Sequence, residues 1–103
     1  MVDFKSCIDL ESRLDKNQAL KIIIQLLKNT PSLVYFSKHC RIQMKSRDLR
    51  VGDIINVLGA GKILNDPEYE KASWRYKVQT QKISVVIALR SPNHIIIVTA
   101  WRN

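Results

Sequence analysis

Near Gly59-Ala60-Gly61 the spacing of apolar residues changes period, and that change limits the folds open to this chain. Before it, apolar residues recur every three or four positions, the repeat of helices that bury one stripe. After it they alternate, or run on in Val- and Ile-rich stretches, as half-buried and fully buried strands do. Helices followed by strands predict an α+β fold and not a β–α alternation.

The punctuation fits that order. Asp15-x-x-Gln18 resembles a capping box and opens a helix to about Lys28, with Leu20, Ile23, Ile24 and Leu27 as its stripe. Asn29-Thr30-Pro31-Ser32 stops it, because proline lacks the N–H a helix needs and restricts the residue before it. The apolar run Leu33 to Phe36 leads to a second helix capped by Ser37. Arg50-Val51-Gly52-Asp53 interrupts the pattern, and a third helix follows with Ile54, Ile55 and Leu58 inward. The glycines after it predict a left-handed closing turn.

Lys62-Ile63-Leu64 reads as a short strand and Asn65-Asp66-Pro67 as a turn. Ser73 to Gln79 sets Trp74, Tyr76 and Val78 against Arg75, Lys77 and Gln79, a period of two. Lys82 to Leu89 and Ile95 to Trp101 read as buried strands. Thr80-Gln81 and Ser91-Pro92-Asn93-His94 are links short enough for hairpins. Residues 1–14 show no clear period and read as an arm or short leading helix. With no linker, repeat or low-complexity stretch, residues 1–103 predict a single domain.

The chain carries 17 Lys and Arg against 9 Asp and Glu, a net charge of +8. Such an excess favours phosphate-bearing or acidic partners, although a basic protein with no nucleic-acid role carries it too. Cys7 and Cys40 make neither a CxxC pair nor a zinc spacing. Two free thiols in a reducing cytosol are the simpler expectation. No charged-then-apolar signal opens the chain, and its longest apolar runs fall far short of the ~20 residues that span a bilayer. The expectation is a cytoplasmic protein with no membrane partner.

In the second helix, at about 100° per residue, His39, Gln43 and Arg47 share one face. A proton carrier, an amide and a permanent cation suit RNA cleavage by the substrate's own 2′-hydroxyl. That reaction needs a base for the hydroxyl, an acid for the leaving oxygen and cations for charge growing on the phosphorane. His39 suits acid or base work. Arg47 could grip phosphate through paired hydrogen bonds, with Arg75 or Arg102 as a second clamp.

Plainer readings stand beside these. His39 could be satisfied locally, and Arg47, which borders Cys40 and Met44 on the wheel, could simply snorkel. Trp74, Tyr76 and Trp101 could stack bases or fill the core. His94 reads as a solvated turn residue. Asp66, Glu68 and Glu70, with Lys71 beside them, read as a solvated charge run without His–carboxylate metal spacing. The glycines follow a helix, whereas phosphate-cradling loops precede one. No metal or cofactor is expected.

The run Ser37-x-His39-Cys40-x-x-x-Met44-x-x-Arg47-Asp48-Leu49, then Val51-x-Asp53-Ile54 and a glycine, resembles the opening of the DUF4258 family. Trp74-Arg75-Tyr76-Lys77-Val78 and Ile97-Val98-Thr99-Ala100-Trp101-Arg102 are similar to that family's strands. The resemblance covers about residues 33–102. Cys40 replaces the usual small residue and Asp48 the usual glycine.

DUF4258 domains are similar to small toxins of the RelE and BrnT kind. The resemblance implies N-terminal helices on a curved, mainly antiparallel sheet of three to four strands. It also implies a metal-independent ribonuclease partnered by an antitoxin, with His39 and Arg47 from the helix and Arg75, Thr99 and Arg102 from the strands. The resulting expectation makes His39 the base or acid, Arg47 and Arg102 the phosphate clamps, and Arg75 a further contact. Tyr76 would shuttle protons or stack a base, and Lys38, Gln43, Lys77 and Trp101 would bind RNA. An acidic antitoxin would cover the same cationic face. The alternative is a non-catalytic basic module for nucleic acid or an acidic protein. A third reading is an assembly partner using a sheet edge or the N-terminal helix.

Overall fold

The Asp15 carboxylate accepts the Gln18 backbone N–H at 2.8 Å, and helix α1 (Lys16–Asn29) begins there as the capping box requires. These details come from a computed structural model that describes residues 10–29, 34–90 and 94–103. Residues 1–9 of the expected arm, the stop at Thr30-Pro31-Ser32 and the Ser91-Pro92-Asn93 link lie outside the described residues. The stripe that α1 buries is Ala19, Ile22, Ile23 and Leu26. Leu20 and Leu27 flank it, and Ile24 is exposed. Three consecutive isoleucines fit two phases of a helical stripe. The phase adopted puts fully buried Ala19 underneath, where its small side chain needs little room.

Two further helices, α2 (Lys38–Ser46) and α3 (Val51–Ala60), follow strand β1 (Val34–Phe36). Then come β2 (Glu68–Glu70), β3 (Ser73–Gln79), β4 (Ile83–Arg90) and β5 (His94–Arg102). The fold is α+β, with a five-stranded sheet in the order β1-β5-β4-β3-β2. The expected three to four strands are thus corrected to five. β1 pairs parallel with β5, and the other neighbours are antiparallel. β1 and β2 have three residues each, too few to display a period.

Two local expectations are also corrected. Gly61 has φ −81° and closes α3 without a left-handed turn. Its need for glycine is steric: a Cβ there would lie 2.6 Å from Val57 O and 2.8 Å from Gln79 O. Lys62 makes a single antiparallel bridge to Gln79 in place of a strand over 62–64. Left-handed backbone occurs instead at Asp48, Lys71 and Ala72, with φ of 54°, 50° and 63°. The last two form the β2–β3 hairpin turn, whose two positive φ values match the twist of the strands.

α1 and α3 cover one face of the sheet. Ile54, Val57 and Leu58 of α3 meet Tyr76, Val78, Val85, Ile87, Ile95, Ile97 and Ala100 there, with Leu10 and Leu14 joining from before α1. Across the sheet, Arg75 pairs with Ala88 and Ala88 with Ile96, while Lys77 pairs with Val86 and Val86 with Thr99. Between those rows the register slips at Val86/Ile87, and Val98 is the additional residue in β5. Such a bulge reverses the in–out alternation beyond it. Ala100 therefore enters the core, and Thr99 and Trp101 share the other face with Lys77.

α2 runs beside β5 from the point where β1 ends. The Ser37 N–H donates to Ile97 O at 2.9 Å, its hydroxyl to Val98 O at 2.8 Å, and Arg47 Nη1 to Ala100 O at 2.8 Å. The helix thereby occupies backbone acceptors that an open edge would expose. Among the described residues no helix is long and apolar enough to cross a membrane.

Candidate functional site

The sheet face opposite α1 and α3 holds a cleft of about 670 Å³. Ser37 and His39 at the start of α2 form one wall, and Val86, Val98, Thr99 and Trp101 come from β4 and β5. Arg75 and Lys77 rise from β3, while Asn65, Asp66, Glu68, Glu70 and Lys71 close the far side. Each part has a local cause. Ser37 accepts the Cys40 N–H at 3.0 Å, which starts the helix and fixes His39 in its first turn. The bulge turns Thr99 and Trp101 toward the cleft, and the period of two in β3 keeps Arg75 and Lys77 there.

Charge in the cleft is mixed. Lys71, Arg75 and Lys77 face Asp66, Glu68 and Glu70. Glu68 is the cross-strand partner of Arg75, so their side chains leave the sheet on the same side. Among the described residues the ion pair within 4.0 Å is Lys16 with Asp66, at 3.6 Å. Arg75 Nε is buried without a hydrogen-bond partner. A buried donor left unpaired is unusual in proteins; here it lies at a cleft where an acceptor on a ligand could meet it.

The structure brings His39, Arg75, Lys77, Thr99 and Trp101 together and leaves the other expected site residues elsewhere. Lys38 is exposed at the start of α2, outside the cleft lining. The Thr99 hydroxyl donates to the Gln43 side-chain oxygen, tying α2 to β5. Arg47, expected as a phosphate clamp, holds the Ala100 carbonyl. Arg102, the other expected clamp, donates from Nε to Arg47 O at 3.2 Å and from Nη2 to Asp48 O at 2.7 Å. Both arginines act on backbone: Arg47 ties the end of α2 to β5, and Arg102 reaches back to the carbonyls that the helix leaves without donors at its C-terminus.

Tyr76 requires a firmer correction. Its ring is 0% exposed on the core face, and its hydroxyl accepts the Leu14 N–H at 3.0 Å. It neither stacks a base nor shuttles protons at the cleft. Burial raises its hydroxyl above the usual phenol range, against smaller opposing effects of the Leu14 hydrogen bond and the Arg13 charge. Burial likewise raises the Cys40 thiol, which sets it apart from an activated nucleophile.

Trp74 packs at the core margin, edge-on to Tyr69 at 5.1 Å and beneath the Arg13 cation at 5.7 Å. His94 meets the Tyr35 ring at a tilt, with centroids 5.3 Å apart, and is not part of the cleft. Asp66, Glu68 and Glu70, read from sequence as a solvated run, are exposed and yet line the cleft. A strand at 68–70 pairing back on Arg75 would have been the signal, but Lys71-Ala72 lacks the Asn or Gly that announces such a hairpin. No group of three or more His, Cys, Asp or Glu among the described residues could hold a metal ion.

The domain of unknown function DUF4258 matches residues 36–102. The chain belongs to the DUF4258 family. The matched region contains every residue lining the cleft, while α1 and the buried Leu10 and Leu14 precede it. No curated protein and no solved structure matches this DUF4258 chain.

Proposed function

We propose that this DUF4258 protein is a cytoplasmic, toxin-like ribonuclease of the RelE and BrnT kind. It cleaves RNA by metal-independent acid–base chemistry and is neutralised by an acidic antitoxin. The observation that carries this reading is the placement of His39 in the same cleft as Arg75 and Lys77, with Arg75 Nε unpartnered.

In the proposed reaction the 2′-oxygen of a ribose attacks the adjacent phosphorus and loses its proton to a base. The bond from phosphorus to the 5′-oxygen then breaks, and an acid protonates that oxygen. The products are a 2′,3′-cyclic phosphate and a 5′-hydroxyl. His39 serves as one member of the acid–base pair, since imidazole exchanges protons near neutral pH. Arg75 and Lys77 stabilise charge on the phosphorane, the role first expected of Arg47 and Arg102. Trp101 offers a stacking surface for a base, and the Thr99 hydroxyl offers hydrogen bonding at the cleft.

The test is cleavage of a single-stranded RNA by purified protein in chelator, with product ends mapped. Cyclic phosphate ends that disappear in His39→Ala and fall sharply in Lys77→Ala are expected. Salt-dependent RNA binding with no cleavage by the wild type would replace this reading with the non-catalytic module.

A further inference from the structure

The junction of α2 and α3 forms a second groove, of about 480 Å³, that shares no residue with the cleft. Phe36, Met44, Leu49 and Val51 supply its apolar surface. Arg41, Lys45 and Arg50 supply its only charges, and no Asp or Glu lines it. Met44 and Leu49 are the buried floor. Val51, in the first turn of α3, is 54% exposed. Val51 thus extends the apolar floor outward to the rim where the three cations stand. The N-terminus of α3 opens beside it and adds partial positive charge, although Asp53 already engages the Arg50 N–H at 2.9 Å.

We propose that this groove docks an acidic segment of a partner protein, with apolar side chains seated on Met44, Leu49 and Val51 and carboxylates against Arg41, Lys45 and Arg50. Charge complementarity selects the occupant. A purely apolar segment would leave three cations unmatched, and a basic one would be repelled. RNA matches the cations but not the floor, which carries no hydroxyl, amide or carboxylate to meet base edges. The docking does not depend on what the cleft does.

The probe is a fluorescent synthetic peptide with leucines at three- and four-residue spacing and glutamates elsewhere. Its controls replace leucine by serine or glutamate by lysine. Binding to the full chain is followed by anisotropy. Arg41→Glu with Lys45→Glu, and separately Val51→Asp, should each weaken binding by about tenfold or more. Lys62→Glu, away from the groove, should change it little. All altered positions are exposed, and circular dichroism checks that each variant folds. Saturable binding lost in both groove variants and by both control peptides supports the proposal. No saturable binding to the wild type overturns it, as does equal affinity across the variants. Displacement of the peptide by single-stranded RNA would assign the groove to nucleic acid instead. A dimer that Val51→Asp dissociates, without peptide binding, would assign it to self-association.

Discussion

The Ser37 hydroxyl and the Val98 carbonyl are 2.8 Å apart and hydrogen-bonded, joining the cap of α2 to the bulge of β5. Because the same oxygen accepts the Cys40 N–H, one side chain sets both where the helix starts and how it meets the sheet. His39 and Thr99, its neighbours on either side of this link, both line the cleft.

Ser37→Ala removes the cap and the link together. Loss of the cap alone costs about 0.5–2 kcal/mol, and the bulge carbonyl loses its donor as well. Urea unfolding should show a lower midpoint for Ser37→Ala and a near-normal one for Ser37→Thr, which retains both bonds. An unchanged midpoint for Ser37→Ala would show that the link contributes nothing to stability.

Arg47 and His39 should behave differently when removed. The hydrogen bond from charged Arg47 to Ala100 O is of a type that contributes about 1.5–3 kcal/mol, and solvent exposure of the arginine puts it at the low end. Arg47→Ala should lower stability and retain activity at temperatures where it remains folded. His39→Ala should keep its stability and lose activity. If Arg47→Ala is as stable as wild type but inactive, Arg47 contacts substrate.

Alkaline pH should unfold the protein through Cys40 and Tyr76. Both groups have folded pKa values raised by burial, from ordinary values of 9.0 and 10.0. The unfolded chain therefore loses these protons first. Their contribution is fully present below about pH 9 and is lost as pH rises through the raised folded values. Tyr76→Phe should flatten the phenol part of that decline. At neutral pH it should cost about 1–3 kcal/mol, because the buried Leu14 N–H loses its acceptor. Stability measured from neutral to strongly alkaline pH checks both effects.

Gly59 and Gly61 should respond oppositely to alanine. At Gly61 the new Cβ would meet two backbone oxygens within 2.8 Å, and such overpacking costs about 1–3 kcal/mol. At Gly59, inside α3, nothing lies within 4 Å. Alanine there should stabilise by about 0.4–1 kcal/mol through the unfolded state. Thermal unfolding of the two variants should bracket the wild type.

Elements with a full period were legible in the sequence. The Trp74/Tyr76/Val78 alternation defined β3, and Ser37 and Asp15 marked helix starts that their hydrogen bonds bear out. The helix face bearing His39, Gln43 and Arg47 meets β5 through bonds to Thr99 and Ala100. What escaped was short or depended on partners distant in the chain. β1 exists through pairing with β5, and β2 through a hairpin lacking its usual turn residues. Consequently no pattern in the sequence sets Glu68 opposite Arg75 or brings Glu70 into the same cleft. No residue pattern reveals that the donors of Arg47 and Arg102 go to carbonyls, because backbone acceptors have no letter in the sequence.

The position of β5 between β1 and β4 also has a consequence during synthesis. A nascent chain can form α1 to α3 and the β2–β4 meander from contacts close in sequence. It holds no cleft, because the strand that joins the His39 wall to the Lys77 wall is made after both. A polypeptide that stops before His94 thus carries the histidine and the cations without the strand that lies between their two walls. Whatever this DUF4258 protein does at that cleft, the ability comes only once β5 takes its place between β1 and β4.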